Sequence, residues 1–408
     1  MPLSRRGLLA AIPAVALAGC GAKPPLRVAV VWSGDELGRF LDVVKEYDQP
    51  VRVYSAGDNI GALLRGPATE VVPDVAVIPR LGLLFDPVIR RRVRPLNPLE
   101  DGEERQPKFW RELVTSERGQ ELGVWFKVAH KSLVWHRVGE AVRPADLDTW
   151  RPVPGDLSIG AADGWVLSDW FENVLLASAP EVYAGLFPPG QDAGNPTWWD
   201  TPQIEQALKL LAEIWKGAFP REAARRALTK QFHDSILDVF AYGTARMVAA
   251  PDFALPVIER FKAGGVAPQH FPFPGQAGRQ PPLVVGGDVA VALHDDARPF
   301  VDWLTRQRAA GEHDAVTRWV AEGGFLTPFT LPTHPLLVGP AQELHSAVNA
   351  RYDLSDRLIG TLEGGDGRGL WRVLTELFSE VTVAGADPGA AAEAAREKLA
   401  QGSREGAL

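Results

Sequence analysis

The feature that most constrains this chain is a strand–helix alternation that starts near residue 26. Residues 26–32 are almost continuously apolar, as a strand buried on both faces must be. Ser33 and Glu36 follow at capping-box spacing, and Leu37, Phe40, Leu41 and Val44 then recur at helical spacing. Residues 51–55 read as a second strand, 56–65 as a second helix and 73–78 as a third strand. A βαβαβ opening predicts an open, mostly parallel sheet whose ligands sit at the carboxyl ends of the strands. Trp32 and Arg80 fall at such ends.

The pattern continues. Residues 123–137 alternate like one or two strands. Thr201-Pro202 opens a helix with an apolar face formed by Ile204, Ala207, Leu208, Leu211 and Trp215. Residues 247–250 and 283–293 are strand-like, the second interrupted by Gly286-Gly287. Pro299 opens another helix, Gly323-Gly324-Phe325 breaks the chain, and residues 384–400 form an alanine-rich terminal helix on the outside. With 408 residues, 46% apolar and 23% charged, the chain has the length for two to three domains of ordinary size and can bury a large core. A net charge of −8 speaks against a general nucleic-acid binder and against attachment to anionic lipid by charge.

Residues 1–22 read as an export signal, not as part of the fold. Arg5 and Arg6 precede an apolar run too short to span a bilayer as a mature helix. Leu17-Ala18-Gly19-Cys20 ends in the single cysteine of the chain and resembles the lipobox of bacterial lipoproteins. That resemblance implies cleavage before Cys20, acylation of its thiol and a lipid anchor in the cell membrane. Residues 4–9 also look like a twin-arginine signal without its usual Phe and Lys, so both export routes stay open. One cysteine excludes a disulfide framework and a cysteine zinc cluster, and eight scattered histidines give no metal-ligand spacing.

Phosphate-binding, dinucleotide-binding and hydrolase motifs are absent, and Gly364-Gly365-Asp366-Gly367 follows no strand and reads as a turn. The informative stretch is residues 164–172, where a helix is expected from Ser168 onward. It places Trp165 just ahead of that helix and Asp169 and Glu172 within one turn. A sugar needs a flat aromatic face for its C–H groups and carboxylates to accept from its hydroxyls, and this stretch offers both. Thirteen tryptophans against five tyrosines fit such surfaces. Trp170 reads as core, Trp165 as a cleft residue.

Ordered along the chain, several segments together resemble the family-one extracellular solute-binding proteins of ABC importers, nearest to carbohydrate and α-glucoside lipoproteins. They are Pro73-Asp74-Val75-Ala76 with Gly82, Arg94-Pro95-Leu96, residues 123–135 and 164–172, Pro251-Asp252-Phe253, Gly286-Gly287-Asp288, Gly323-Gly324-Phe325 and residues 352–356. The resemblance implies an α/β, two-lobed periplasmic-binding-protein fold, each lobe a mixed, mostly parallel sheet flanked by helices and joined by a hinge. Residues 1–20 would be the signal, 26–130 and 284–327 lobe one, and 131–283 and 328–402 lobe two. The crossings would fall near residues 127–134, 283–286 and 325–328. It also implies Trp32, Asp58 and Arg80 facing the cleft from lobe one, Trp165, Asp169 and Asp252 from lobe two, and Gly287, Asp288 and Phe325 near the hinge. His136-Arg137 stands where the family commonly has Tyr-Asn-Lys, which favours a mono-, di- or short oligosaccharide over long maltodextrins.

The expected partners are a carbohydrate ligand, the permease subunits of the importer and, through Cys20, the membrane. No cofactor, metal, nucleic acid or catalysis is expected, and the protein is expected to be an extracytoplasmic monomer. Asp58 also reads as a helix cap, Asp252 and Asp288 as turn residues, Arg80 as a surface ion-pair partner and Phe325 as core. Two other functions compete: a glycoside hydrolase using two carboxylates, and a binding protein for a polyol, phosphosugar or other non-sugar solute.

Overall fold

The structure, a computed structural model, describes residues 24–67, 72–99, 104–140, 143–187, 195–309, 311–358, 362 and 369–406. The expected leader with Cys20 and the glycine-rich stretch 364–367 lie outside the described residues. The strands are β1 (Leu26–Val30), β2 (Val51–Ser55), β3 (Val75–Ile78), β4 (Val124–His130), β5 (Leu133–Arg137), β6 (Leu157–Ser158), β7 (Met247–Ala249), β8 (Pro268–Pro272), β9 (Val284–Ala292) and β10 (Arg351–Tyr352).

They form two sheets. The first has the order β10-β9-β3-β1-β2, with β4 pairing the other side of β9. β1 pairs in parallel with β2 and β3, and β9 runs antiparallel to β3 and β4. The second sheet has the order β6-β7-β5-β8. There β6 and β7 are parallel, and β5 is antiparallel to both β7 and β8.

The opening strands and helices lie where the sequence puts them, with α-helices at Gly34–Val44 and Ile60–Arg65. The capping box does not form: Ser33 is the N-cap residue but its side chain makes no capping bond. Glu36 turns instead to Lys127, with which it forms an ion pair.

The alternating stretch 123–137 is two strands in different sheets. Every residue of β4 is buried, including Lys127 and His130, so that strand has no solvent face. Lys131 and Ser132 then carry the chain across to β5 in the second sheet. The return passes from β8 to β9. Arg351–Tyr352, in a stretch expected in lobe two, pairs with Val284 and Val285 and so extends the first sheet.

The two glycines of β9 do not interrupt it. Gly287 has φ +151°, and a Cβ there would lie 2.3 Å from the Lys127 carbonyl oxygen. The glycine therefore serves the close approach of β4 to β9 beside the crossing. Gly287→Ala is expected to destabilise the protein by about 1–3 kcal/mol through backbone strain, read as a lower urea midpoint at unchanged slope. An unchanged midpoint would show that the strands can separate at no cost.

The second sheet is covered by helices around Gly164–Ser178, which is buried from Val166 to Ala177 although Ser168, Asp169, Glu172 and Asn173 make one of its faces polar. Pro202–Ala218 and Gly369–Ser379 pack on it, and the terminal helix Pro388–Gly406 packs outside Pro202–Ala218 through Ala391, Ala392, Ala395 and Leu399. The helix starts at Gly164, four residues before the expected Ser168, so Trp165 stands in its first turn.

Candidate functional site

A cavity of about 380 Å³ opens between the two sheets, at the carboxyl ends of β1 and β3. Its size lies in the range of small-molecule sites, roughly 300–1,000 Å³. Trp32 and Arg80 reach it from just beyond β1 and β3, and Gly287 and Asp288 from β9. Trp165, Asp252 and Phe253 line it from the second-sheet side, and Phe325 closes one end. Eight positions singled out from sequence, separated by up to 293 residues, thus meet or nearly meet here; seven line the cavity and Asp169 lies behind it. Asp58 sits on the short 3-10 turn Gly57–Asn59, whose Gly57 lines the cavity; the Asp58 side chain is outside the described residues.

Trp165 is half-buried, with its ring 4.8 Å from Phe232 and 6.0 Å from Phe253. This aromatic group fixes the indole from behind and leaves part of it to the cavity. Gly164 matters here because a Cβ would stand 2.6 Å from Cβ of Trp371, a cavity residue at the start of Gly369–Ser379.

Trp32 is placed differently from an open stacking platform. Its Nε1 donates to Asp288 Oδ2 at 3.1 Å, and its ring packs at 5.0 Å from Phe40 and 5.8 Å from Phe126. One face is covered by the Lys127 ammonium, 3.8 Å from the ring centre. Phe325 is both core and wall: it is buried, 4.8 Å from Trp319 and 5.2 Å from Phe126, with an edge on the cavity.

Asp169 lies one helical turn beyond Trp165 but does not line the cavity. It borders a separate space of about 10 Å³ behind Trp165. Its Oδ1 accepts from Lys131 Nζ at 3.4 Å, and burial pushes its carboxyl up to about 8 against the pull of that lysine. Glu172 faces away altogether: it accepts from Tyr183 Oη at 2.7 Å and from the Leu354 and Ser355 amides at 2.6 and 3.1 Å. Trp170 is core, stacked on Trp150 at 5.4 Å.

The floor is built around Lys131, which sequence reasoning gave no role. Its ammonium pairs with Asp353, with Asp356 at 3.4 Å and with Asp169. Burial lowers the affinity of this lysine for its proton, but the surrounding carboxylates outweigh burial and hold its pKa well above the usual lysine range. The same attraction overcomes burial at Asp353 and holds that carboxyl low, while burial pushes Asp356 up to about 7. Asp252 is anchored at the crossing: its Oδ1 accepts from the His130 amide at 2.6 Å, and burial pushes it up to about 7. Burial likewise raises Asp288 to about 6.

These shifts fix the sign of a pH effect. Asp169, Asp252, Asp288 and Asp356 keep protons in the folded state that the unfolded chain releases near pH 4, so folding binds protons between these limits. Their contribution is fully present below about pH 4 and is lost as pH rises through the folded values. Ion-paired Asp74, Asp86 and Asp314, held below the usual carboxylate range, oppose this only as pH falls toward their own values. The ligand-free melting temperature is therefore expected to fall by several degrees between about pH 5.5 and about pH 8, measured by scanning calorimetry. A rise over that interval would contradict the buried placement of these four groups.

Glu36, Lys127, Lys131, Asp356 and Trp371 complete the site without having been singled out. Trp371 carries a signal like that of Trp165, a tryptophan in the first turn of a helix that opens on glycine. The others carry none, because their partners lie 38 to 225 residues away.

No family model matches the chain. The osmoprotective compounds-binding protein GgtB of Synechocystis sp. is 26% identical over 329 residues, covering 72% of this chain and 74% of that protein. The alpha-glucosides-binding periplasmic protein AglE of Rhizobium meliloti is 22% identical over 386 residues, covering 82% and 80%. Among solved structures, the solute-binding protein RafE in complex with raffinose, known also in its apo form from Streptococcus pneumoniae, superposes with TM-score 0.70 at 12% identity, covering 93% of this chain and all of that one. The fold is that of the two-lobed solute-binding proteins. The sequence relatives are both named as binding proteins, in line with the resemblance read from residues 73–356.

Proposed function

We propose that the chain is the substrate-binding component of an ABC-type importer and captures a mono-, di- or short oligosaccharide between its lobes. The observation that carries this reading is the cavity between the sheets, which Trp165, Phe253 and Trp371 line together with Asp252, Asp288, Asp356 and Arg80. Aromatic faces take the C–H surface of a pyranose, and carboxylates and Arg take its hydroxyls. The relatives named for alpha-glucosides and osmoprotective compounds, and the neighbour holding raffinose, support it. In this reading the protein binds and releases its ligand unchanged and is not an enzyme.

Trp165 is the stacking platform, Arg80, Asp252 and Asp288 bind hydroxyls, and Gly287 and Phe325 shape the wall. Asp58 adds to the rim, Trp32 orients Asp288, and Asp169 acts from behind as a positioning residue. The lobes comprise residues 26–130 with 284–327 and 131–283 with 328–402, the latter lending β10 to the first sheet. Closure about the crossings buries the ligand and lets the permease distinguish loaded from empty protein.

A thermal-shift screen over sugars and polyols tests the assignment. A ligand at a hundred times its Kd is expected to stabilise the fold by about 2.7 kcal/mol. A library in which amino acids or phosphate esters raise the melting temperature and no sugar or polyol does would overturn it. The protein is an extracytoplasmic lipoprotein monomer in this reading, exported by the Sec or twin-arginine route and anchored through acylated Cys20. Wild type is then expected to fractionate with membranes and Cys20→Ser with the soluble fraction; a membrane-bound serine variant would exclude the anchor.

A further inference from the structure

Lys127 stands in β4 opposite Asp288 of β9, and its buried ammonium enters a box of three aromatic rings. It lies 3.8 Å from the ring centre of Trp32, 4.3 Å from that of Trp319 and 5.1 Å from that of Phe325. Glu36, from the first helix, pairs with the same ammonium, and both residues line the cavity. An aromatic box beside carboxylates is the chemistry that recognises quaternary ammonium solutes. Here the cation belongs to the protein.

We propose that Lys127 is the specificity-determining residue of the cleft: its ammonium fills the aromatic box against cationic solutes and, with Glu36 and Asp288, presents a charged hydrogen-bonding wall to a neutral polyhydroxyl ligand. The second half of this statement rests on the sugar-binding reading above; the first half does not. Trp32 serves the wall twice, offering a face to the ammonium and donating from Nε1 to Asp288 Oδ2 at 3.1 Å. Asp288 is thereby oriented by the same ring that holds Lys127. Removing the cation leaves the rings together with the carboxylates of Glu36 and Asp288, a combination that favours an external cation.

The test is calorimetric titration of wild type, Lys127→Ala and Lys127→Gln with tetramethylammonium chloride and, separately, with maltose, trehalose and raffinose. Wild type is expected to take up no tetramethylammonium, and Lys127→Ala to bind it in the millimolar range. Lys127→Gln keeps the stem and a donor but not the charge, and is expected to weaken the sugar that wild type binds by about tenfold or more. A folded Lys127→Ala that takes up no tetramethylammonium, or a wild type that does, overturns the box. Unchanged sugar affinity in Lys127→Gln overturns the wall. If wild type binds none of the three sugars and Lys127→Ala gains tetramethylammonium, the box stands and the choice of sugar fails. Should Lys127→Ala not fold, Lys127→Gln still decides the wall through the sugar titration, and Lys127→Ser replaces Lys127→Ala in the tetramethylammonium titration that decides the box.

Discussion

Lys131→Met is expected to destabilise the ligand-free protein by about 3–5 kcal/mol, because it removes one partner of a buried ion-pair cluster. The ammonium is buried among Asp169, Asp353 and Asp356, and its attraction is the main force that keeps Asp353 charged there, helped by the Ser355 hydroxyl and the Asp356 amide. A methionine fills similar space but leaves a buried carboxylate unpaired, so Asp353 must take a proton on folding. Stability of the variant should then fall more steeply with rising pH than that of wild type, and Asp353→Asn in the same chain should restore part of the loss. Urea unfolding at neutral pH measures it. A change below about 1 kcal/mol, the level of a surface pair, would mean that solvent reaches the cluster.

Trp165→Ala is expected to weaken sugar binding by about one to two orders of magnitude, since burying a large aromatic side chain contributes about 1.5–3 kcal/mol. Sequence alone puts Asp169 beside it as an equal contributor. The structure changes that expectation. Asp169 lies behind Trp165, away from the cavity, and burial raises its carboxyl to about 8, so near neutral pH it is mostly protonated. Asn imitates that protonated state, and Asp169→Asn is expected to alter affinity by less than about threefold. Calorimetric affinity and ligand-free melting temperature should be measured together for both variants. Equal losses of affinity with unchanged melting would return Asp169 to the ligand. Intact binding in Trp165→Ala with a collapsed melting temperature would make the indole core only.

The contrast between these two tryptophan-helix residues shows what was legible. Local pattern identifies a strand where both faces are buried, as at residues 26–30 and 75–78, because continuous apolar character has few other readings. It places Trp165 and Trp170 correctly on cavity and core. It cannot tell which face of an almost wholly buried helix carries a carboxylate to ligand and which to an internal lysine, and Asp169 and Glu172 went to partners supplied by Lys131 and residues 354–355. Glu36 illustrates the same limit. Its spacing from Ser33 satisfies a local rule, but the charge of Lys127, 91 residues away, offers a partner that the backbone amide cannot match. Residues 123–137 show a further limit: the pattern allows one strand or two, and only the pairing partners put two strands in different sheets.

β9 pairs with β3, β4 and β10 and so sits inside the first sheet, although it begins at residue 284. During synthesis, β1 to β3 emerge early, and the flank of β3 that β9 will occupy stays without its partner for about two hundred residues of further translation. Docking of β9 must close that long loop before any ladder bond rewards it, which makes the step entropically expensive and slow. An open strand flank of this kind recruits other strands, including those of neighbouring nascent chains. The late arrival of one inner strand thus delays completion of the first sheet until most of the polypeptide exists.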